Sequence, residues 1–102
     1  MIERLAIENF VPSEDKVIWD VRDGEAFAKG HIKYAVNRPV DSLNPELLAA
    51  TEGDIYVLCG GGTKAERAVA LLHGFDENRR IVHLTGGTRQ AAALGWTLIE
   101  ED

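Results

Sequence analysis

The stretch Ile55-Tyr56-Val57-Leu58-Cys59-Gly60-Gly61-Gly62-Thr63-Lys64-Ala65-Glu66-Arg67-Ala68-Val69 passes from an unbroken apolar burst, through three glycines, into a helical pattern. Ile55 to Cys59 is short, continuous and rich in β-formers, as strands covered on both faces tend to be. Past the glycines, Thr63 and Glu66 have the spacing of a capping box, and Ala65, Ala68, Val69 and Leu72 recur on one helical face. Gly74 is placed to close this helix as its left-handed C-terminal residue. A buried strand running through a tight loop into an amphipathic helix is the repeating unit of an α/β fold.

The rest of the chain extends that pattern in both directions. Val17-Ile18-Trp19-Asp20-Val21 and Ile81-Val82-His83-Leu84 read as further buried strands, Tyr34-Ala35-Val36-Asn37 as a fourth, and Leu5-Ala6-Ile7 as an edge strand. Asp23 caps a short helix through Gly24-Glu25-Ala26-Phe27-Ala28 that stops near Gly30, and Asn44-Pro45 opens another through Ala50. A last helix is expected from about Thr88 to Leu94, ending at Gly95, with Glu100-Glu101-Asp102 as a frayed tail. Trp19 and Phe27 read as core. The expected architecture is one α/β domain over residues 1–102, with a mainly parallel sheet of about five strands and helices on both faces.

Composition bounds the chemistry. With 45% apolar and 27% charged residues the 102-residue chain has the make-up of one globular core. A single cysteine excludes an internal disulfide and a Cys-rich metal site, and His31, His73 and His83 have no ligand-like spacing, so neither metal nor cofactor is expected. The formal charge of −6 argues against a nucleic-acid or anionic-membrane partner. No apolar run approaches the roughly 20 residues of a membrane span, and the early charges of Met1-Ile2-Glu3-Arg4 do not resemble a signal peptide. A free thiol in such a chain points to a cytoplasmic setting.

In parallel α/β sheets, ligands sit outside the carboxyl ends of the strands, and Cys59 stands at such an end. Gly60, Gly61 and Gly62 can turn their N–H groups inward without Cβ clashes, making a nest for an anion. The helix that follows adds unpaired N–H donors and partial positive charge, while Lys64, and Arg67 on the first turns, add full charges. This setting favours the thiolate form of Cys59. The Gly-Gly-Gly-Thr-Lys run does not satisfy the Gly-x-x-x-x-Gly-Lys-Ser/Thr pattern of a nucleotide phosphate loop. The residues thus indicate a nucleophilic sulfur with Gly60 to Lys64 and Arg67 around an anion. Asp20 and Arg22 read as a charge pair that positions a neighbouring loop, and His31 as satisfying backbone groups at a turn.

Several blocks together resemble the rhodanese (sulfurtransferase) homology domain over nearly the whole chain. They are Val17-Ile18-Trp19-Asp20-Val21-Arg22, Glu25-Ala26-Phe27-Ala28-Lys29-Gly30-His31-Ile32, Ala35-Val36-Asn37-Arg38-Pro39, the strand and loop from Ile55 to Lys64, and Val82-His83-Leu84-Thr85-Gly86-Gly87. The resemblance implies that Cys59 takes a sulfane sulfur as a persulfide and passes it to a nucleophilic acceptor, with residues 60 to 64 donating backbone hydrogen bonds to the persulfide and the substrate anion. The donor would be thiosulfate or a small or protein-borne persulfide, and the acceptor a thiol or protein. The related phosphatases use a longer Cys-x5-Arg loop; here the residue six after Cys59 is Ala65. Within the loop only Lys64 carries a charged side chain, which implies weak thiosulfate binding. The bare glycine loop also leaves open a non-catalytic binding module, or a persulfide carrier or redox sensor.

Overall fold

A computed structural model of the chain describes residues 2–101. Five strands, β1 (Ile2–Ala6), β2 (Val17–Asp20), β3 (Val36–Asn37), β4 (Ile55–Leu58) and β5 (Ile81–Thr85), form one sheet in the order β1-β5-β4-β2-β3. Every neighbouring pair is parallel. Four helices, α1 (Gly24–Lys29), α2 (Pro45–Ala49), α3 (Thr63–Phe75) and α4 (Gly87–Ala93), connect or follow the strands.

The period-two alternation of strand side chains divides the core into two layers. Trp19, Ile55, Val57 and Ile81 point to one face, where Leu48 of α2 and Ala65, Ala68, Val69 and Leu72 of α3 cover them. Ile18, Leu58, Val82 and Leu84 point to the other, against Ala91 of α4, Ile7, Phe10 and Ile32. Burying each large aliphatic side chain contributes roughly 1.5–3 kcal/mol, so both faces of the sheet supply stability. The face-alternating apolar bursts are what require helices on both sides.

Local signals in the sequence account for the short helices. Asp23 caps α1 by accepting the Ala26 N–H at 2.8 Å, and Asn44 caps α2 by accepting the Leu47 N–H at 2.7 Å with Pro45 in the first turn. Other details differ from the sequence expectations. The edge strand is Ile2–Ala6 rather than Leu5 to Ile7; Ile7 begins a 3-10 turn and is fully buried. The strand expected from Tyr34 is reduced to Val36–Asn37, because Tyr34 takes φ +71°, a left-handed conformation incompatible with a strand.

The long helix departs at both ends. Gly62, at φ +110°, is its N-cap, so Thr63 is the first helical residue and the expected capping box does not form. Glu66 turns instead to Arg4 of β1, at 3.2 Å, and to His83 of β5, whose Nδ1 is also 3.2 Å away. At the other end, Gly74 lies inside the helix, which continues through Phe75 and closes where the Asp76 N–H donates to the Leu72 carbonyl at 3.1 Å. Nor is the C-terminal segment frayed up to Glu101. Ile99 exchanges two backbone hydrogen bonds with His31, and the Glu101 N–H donates to the Ala28 carbonyl at 2.8 Å. Asp102 of the expected tail lies outside the described residues. Among the described residues no helix is long and apolar enough to cross a membrane.

Candidate active site

Cys59 follows the last residue of β4, the middle strand of the sheet, and is 3% exposed. Its placement at the carboxyl edge is where a parallel sheet offers a crevice. The three glycines then curl back, and the Gly62 N–H points at the Cys59 Sγ at 2.9 Å. That curl explains why Gly62 has to be the N-cap: its positive φ turns the chain around the sulfur and into α3 at once. The sulfur thus sits against a backbone donor at the N-terminal end of a thirteen-residue helix.

A second glycine turn supports the first from behind. After β5 the chain passes through Gly86 and Gly87, both at positive φ. The Thr88 and Arg89 N–H groups then donate to the carbonyls of Cys59 and Gly60, at 2.9 and 3.1 Å. A Cβ on Gly87 would lie 2.2 Å from the Cys59 carbonyl oxygen, so only glycine permits this approach. The start of the cysteine loop is therefore fixed by the neighbouring strand's exit, which engages the Cys59 and Gly60 carbonyls.

A cavity of about 330 Å³ opens over the loop, with Cys59, Gly60, Gly61, Lys64, Arg22 and Arg89 in its walls. Thr63 lines it as well, whereas Gly62 borders a neighbouring cavity walled also by Glu66 and His83. The Lys64 ammonium is about half exposed and 4.0 Å from Asp23, whose carboxyl is held below its ordinary range by the Ala26 N–H, with Lys64 and Arg22 adding to the effect. Arg67 is not brought to the cavity. It lines a different cavity, beside Ala70 and Leu71, and pairs with Asp41 at 3.2 Å.

Arg22 and Asp20 form the charge pair expected of them. Asp20 is fully buried and accepts Arg22 Nη2 at 2.8 Å, while the same nitrogen donates to the Gly30 carbonyl at 2.8 Å. Arg22 thereby ties the end of β2 to the end of α1, and its side chain packs beside Gly60. His31 likewise has the structural role expected: its Nδ1–H donates to the Phe27 carbonyl at 2.9 Å and its ring stacks on Phe27.

Arg89 was not among the residues singled out from the sequence. Its guanidinium lies against Gly61, where an added Cβ would be 3.2 Å from Nη1. The expectation that Lys64 alone supplies a charged side chain therefore holds for the loop but not for the cavity. The signal was positional: a residue just past the Gly86-Gly87 turn leaves β5 beside β4 and reaches the same crevice.

Comparison with known proteins agrees with this geometry. The family model for the rhodanese-like domain matches residues 6–94. The chain is 32% identical over 97 residues to a tRNA uridine(34) hydroxylase of Pectobacterium carotovorum, covering 82% of this chain and 26% of that protein. The corresponding protein of Hamiltonella defensa is 28% identical, again with 24% of its length covered. The chain thus spans about a quarter of these curated relatives. Among solved structures, a rhodanese-like domain from Anabaena sp. superposes with a TM-score of 0.73 at 29% identity, covering 85% of this chain and 94% of that one. A rhodanese-like domain protein from Staphylococcus aureus shares the fold, with a TM-score of 0.73 at 24% identity over 98% and 99% of the two chains. With its all-parallel sheet, its cysteine loop at the end of the middle strand and this match over most of its length, the chain belongs to the rhodanese-like domain family.

Proposed function

We propose that this domain is a sulfurtransferase that carries sulfane sulfur on Cys59. The observation that carries the reading is the Gly62 N–H held 2.9 Å from the Cys59 Sγ at the start of α3. With thiosulfate, the Cys59 thiolate attacks the outer sulfur. A bond forms between Sγ and that sulfur, the sulfur–sulfur bond of thiosulfate breaks, and its electron pair leaves with sulfite. The product is a Cys59 persulfide. A nucleophilic acceptor then attacks the outer persulfide sulfur, and the electron pair of the breaking bond returns to Cys59 as thiolate. The Gly62 N–H aimed at the charged sulfur acts as preorganised electrostatic stabilisation through both half-reactions. Lys64 and Arg89 hold the anionic part of the donor.

Incubation with thiosulfate should add the mass of one sulfur atom to the intact chain, and Cys59→Ser should show no adduct. No adduct with thiosulfate or with any organic persulfide would overturn the reading.

The names of the curated relatives favour a second reading, in which the domain serves a protein that modifies uridine 34 of tRNA. The net charge of −6 gives it no general nucleic-acid surface, so a tRNA contact would rest on the cationic rim of the cavity or on chain outside this domain. Filter binding of a tRNA transcript, compared with competitor RNA across a salt series, separates the two readings.

A further inference from the structure

One aromatic side chain is both strained and exposed, and neither the core nor the cysteine loop uses it. The Ala35 N–H donates to the Ile32 carbonyl at 3.2 Å, closing a turn whose third residue is Tyr34, at φ +71°. Glycine or asparagine normally fills that position, because a Cβ there crowds the following carbonyl. Strain of this kind persists where the surroundings impose it or a function uses it. Inside the fold Tyr34 has little to do: it is 40% exposed, and its hydroxyl has no hydrogen-bond partner among the described residues.

Tyr34 instead builds one wall of a groove of about 300 Å³, with Pro12, Lys33, Trp96 and Thr97 as the others. Pro12 and Trp96 are half-buried, while Lys33, Tyr34 and Thr97 are open to solvent. Trp96 rests on the apolar layer that holds Ile32 and Ala91, which fixes its ring as a firm surface. None of these residues lines the cavity over Cys59.

The chemistry of the groove selects its occupant. Its walls are aromatic and prolyl. The Lys33 ammonium and the Trp96 indole N–H can only donate hydrogen bonds, and the Tyr34 and Thr97 hydroxyls can donate as well. Lys33 lies 5.1 Å from the Tyr34 ring centroid and has no ion pair among the described residues. In a chain with six more acids than bases, this lining carries a cation and no carboxylate. A polyproline II strand is the complement: its proline rings suit aromatic walls, and its carbonyls have no internal partner and accept from donors. An acidic residue beside the prolines matches Lys33. A helix satisfies its own carbonyls along its length, and a nucleic-acid strand calls for several cations where the groove has one.

We propose that the groove between Tyr34 and Trp96 docks an extended, proline-containing acidic segment of a partner protein. The prolines pack on the two rings, the segment's carbonyls accept from the indole N–H and the hydroxyls, and its carboxylate pairs with Lys33. The site is independent of the chemistry at Cys59, so the thiosulfate adduct does not bear on it.

Selection of random peptides of about ten residues, roughly 30 Å when extended, on the immobilised whole chain tests the occupant. Peptides with proline next to Asp or Glu should be enriched. Titrated into the chain in solution, they should shift the backbone amides of Lys33, Tyr34 and Thr97 in NMR spectra. Lys33→Glu should weaken them at least about fivefold, a loss that shrinks in about 0.5 M salt. Trp96→Ala should weaken them at least about tenfold. Because Trp96 also packs on the core, Tyr34→Gly separates binding from folding. It should hold or raise the unfolding midpoint, since glycine adopts φ +71° without strain, and still weaken the peptides at least about fivefold. A fall in midpoint with unchanged affinity would make Tyr34 a structural residue and overturn the proposal. It is equally overturned by no enrichment, by enriched peptides lacking proline or acid, or by affinities that survive all three substitutions. A groove filled instead by a second copy of the chain, seen as a dimer in sedimentation, or by oligouridylate that displaces the peptides, overturns it too.

Discussion

Gly87 meets two demands at once, a φ of +58° and a Cβ position 2.2 Å from the Cys59 carbonyl oxygen. Alanine tolerates the first at a cost of about 1–2 kcal/mol, but the second requires backbone to move. Gly87→Ala is therefore expected to lose roughly 2–4 kcal/mol, visible as a clear drop in thermal midpoint, and to slow the proposed persulfide formation by shifting the cysteine loop. An unchanged midpoint would show that the two turns are not in the contact described. Gly61 offers a contrast, since an added Cβ there meets only the mobile end of Arg89. Arg22 tests the neighbouring support. Arg22→Ala leaves the fully buried Asp20 without its counter-charge, a loss of about 3–5 kcal/mol by comparison with other broken buried pairs. Urea unfolding measures it as a fall in midpoint at constant slope.

Element ends show how tertiary contacts reassign local signals. Thr63 and Glu66 have capping-box spacing, yet the box is displaced because the loop needs a left-handed glycine at the N-cap and because Arg4 and His83 claim the Glu66 carboxylate. Gly74 has the identity of a helix stop but sits in the last turn of α3, with open space where a Cβ would be. Gly74→Ala should accordingly stabilise the domain by about 0.5–1 kcal/mol, the helix-propensity difference between the two residues. A denaturation midpoint that falls in this variant would place Gly74 at the stop after all. The edge strand β1 shows the same kind of tertiary control. Arg80 grips Glu3 of β1 at 2.7 Å and Asp54 at 2.8 Å, and these bonds raise its already high pKa and lower that of Glu3.

Across the whole molecule, burial makes stability depend on pH through His83. The imidazole is 2% exposed, and burial lowers its pKa below the ordinary 6.5; Glu66 opposes that shift and Arg4 reinforces it. Below pH 6.5 the unfolded chain then binds the proton more tightly than the folded one. The contribution is fully present above that pH and is lost as pH falls toward the folded-state value. Unfolding free energy should therefore decline from pH 7 to 5 more steeply in the wild type than in His83→Gln, which has no proton to bind in that range. Parallel slopes for the two proteins would exclude His83 as the source.

The sequence by itself determined the class of fold, the buried strands and the glycine loop that follows Cys59 at a strand end, because each rests on a local pattern. Continuous β-rich bursts, a glycine run and two side-chain caps act over a few residues and survive folding unchanged. Gly60 to Lys64 were legible for the same reason, as neighbours of the cysteine along the chain. Tertiary structure alone decided which cations join them. Arg67 is close in sequence but turns toward Asp41, while Arg89 is thirty residues away and arrives because β5 pairs with β4. It also decided that Gly62 caps the long helix and that Gly87 seats against Cys59. Both follow from two strand exits meeting at one sheet edge, where a carbonyl and an N–H within hydrogen-bonding distance outweigh the preferences of any single residue.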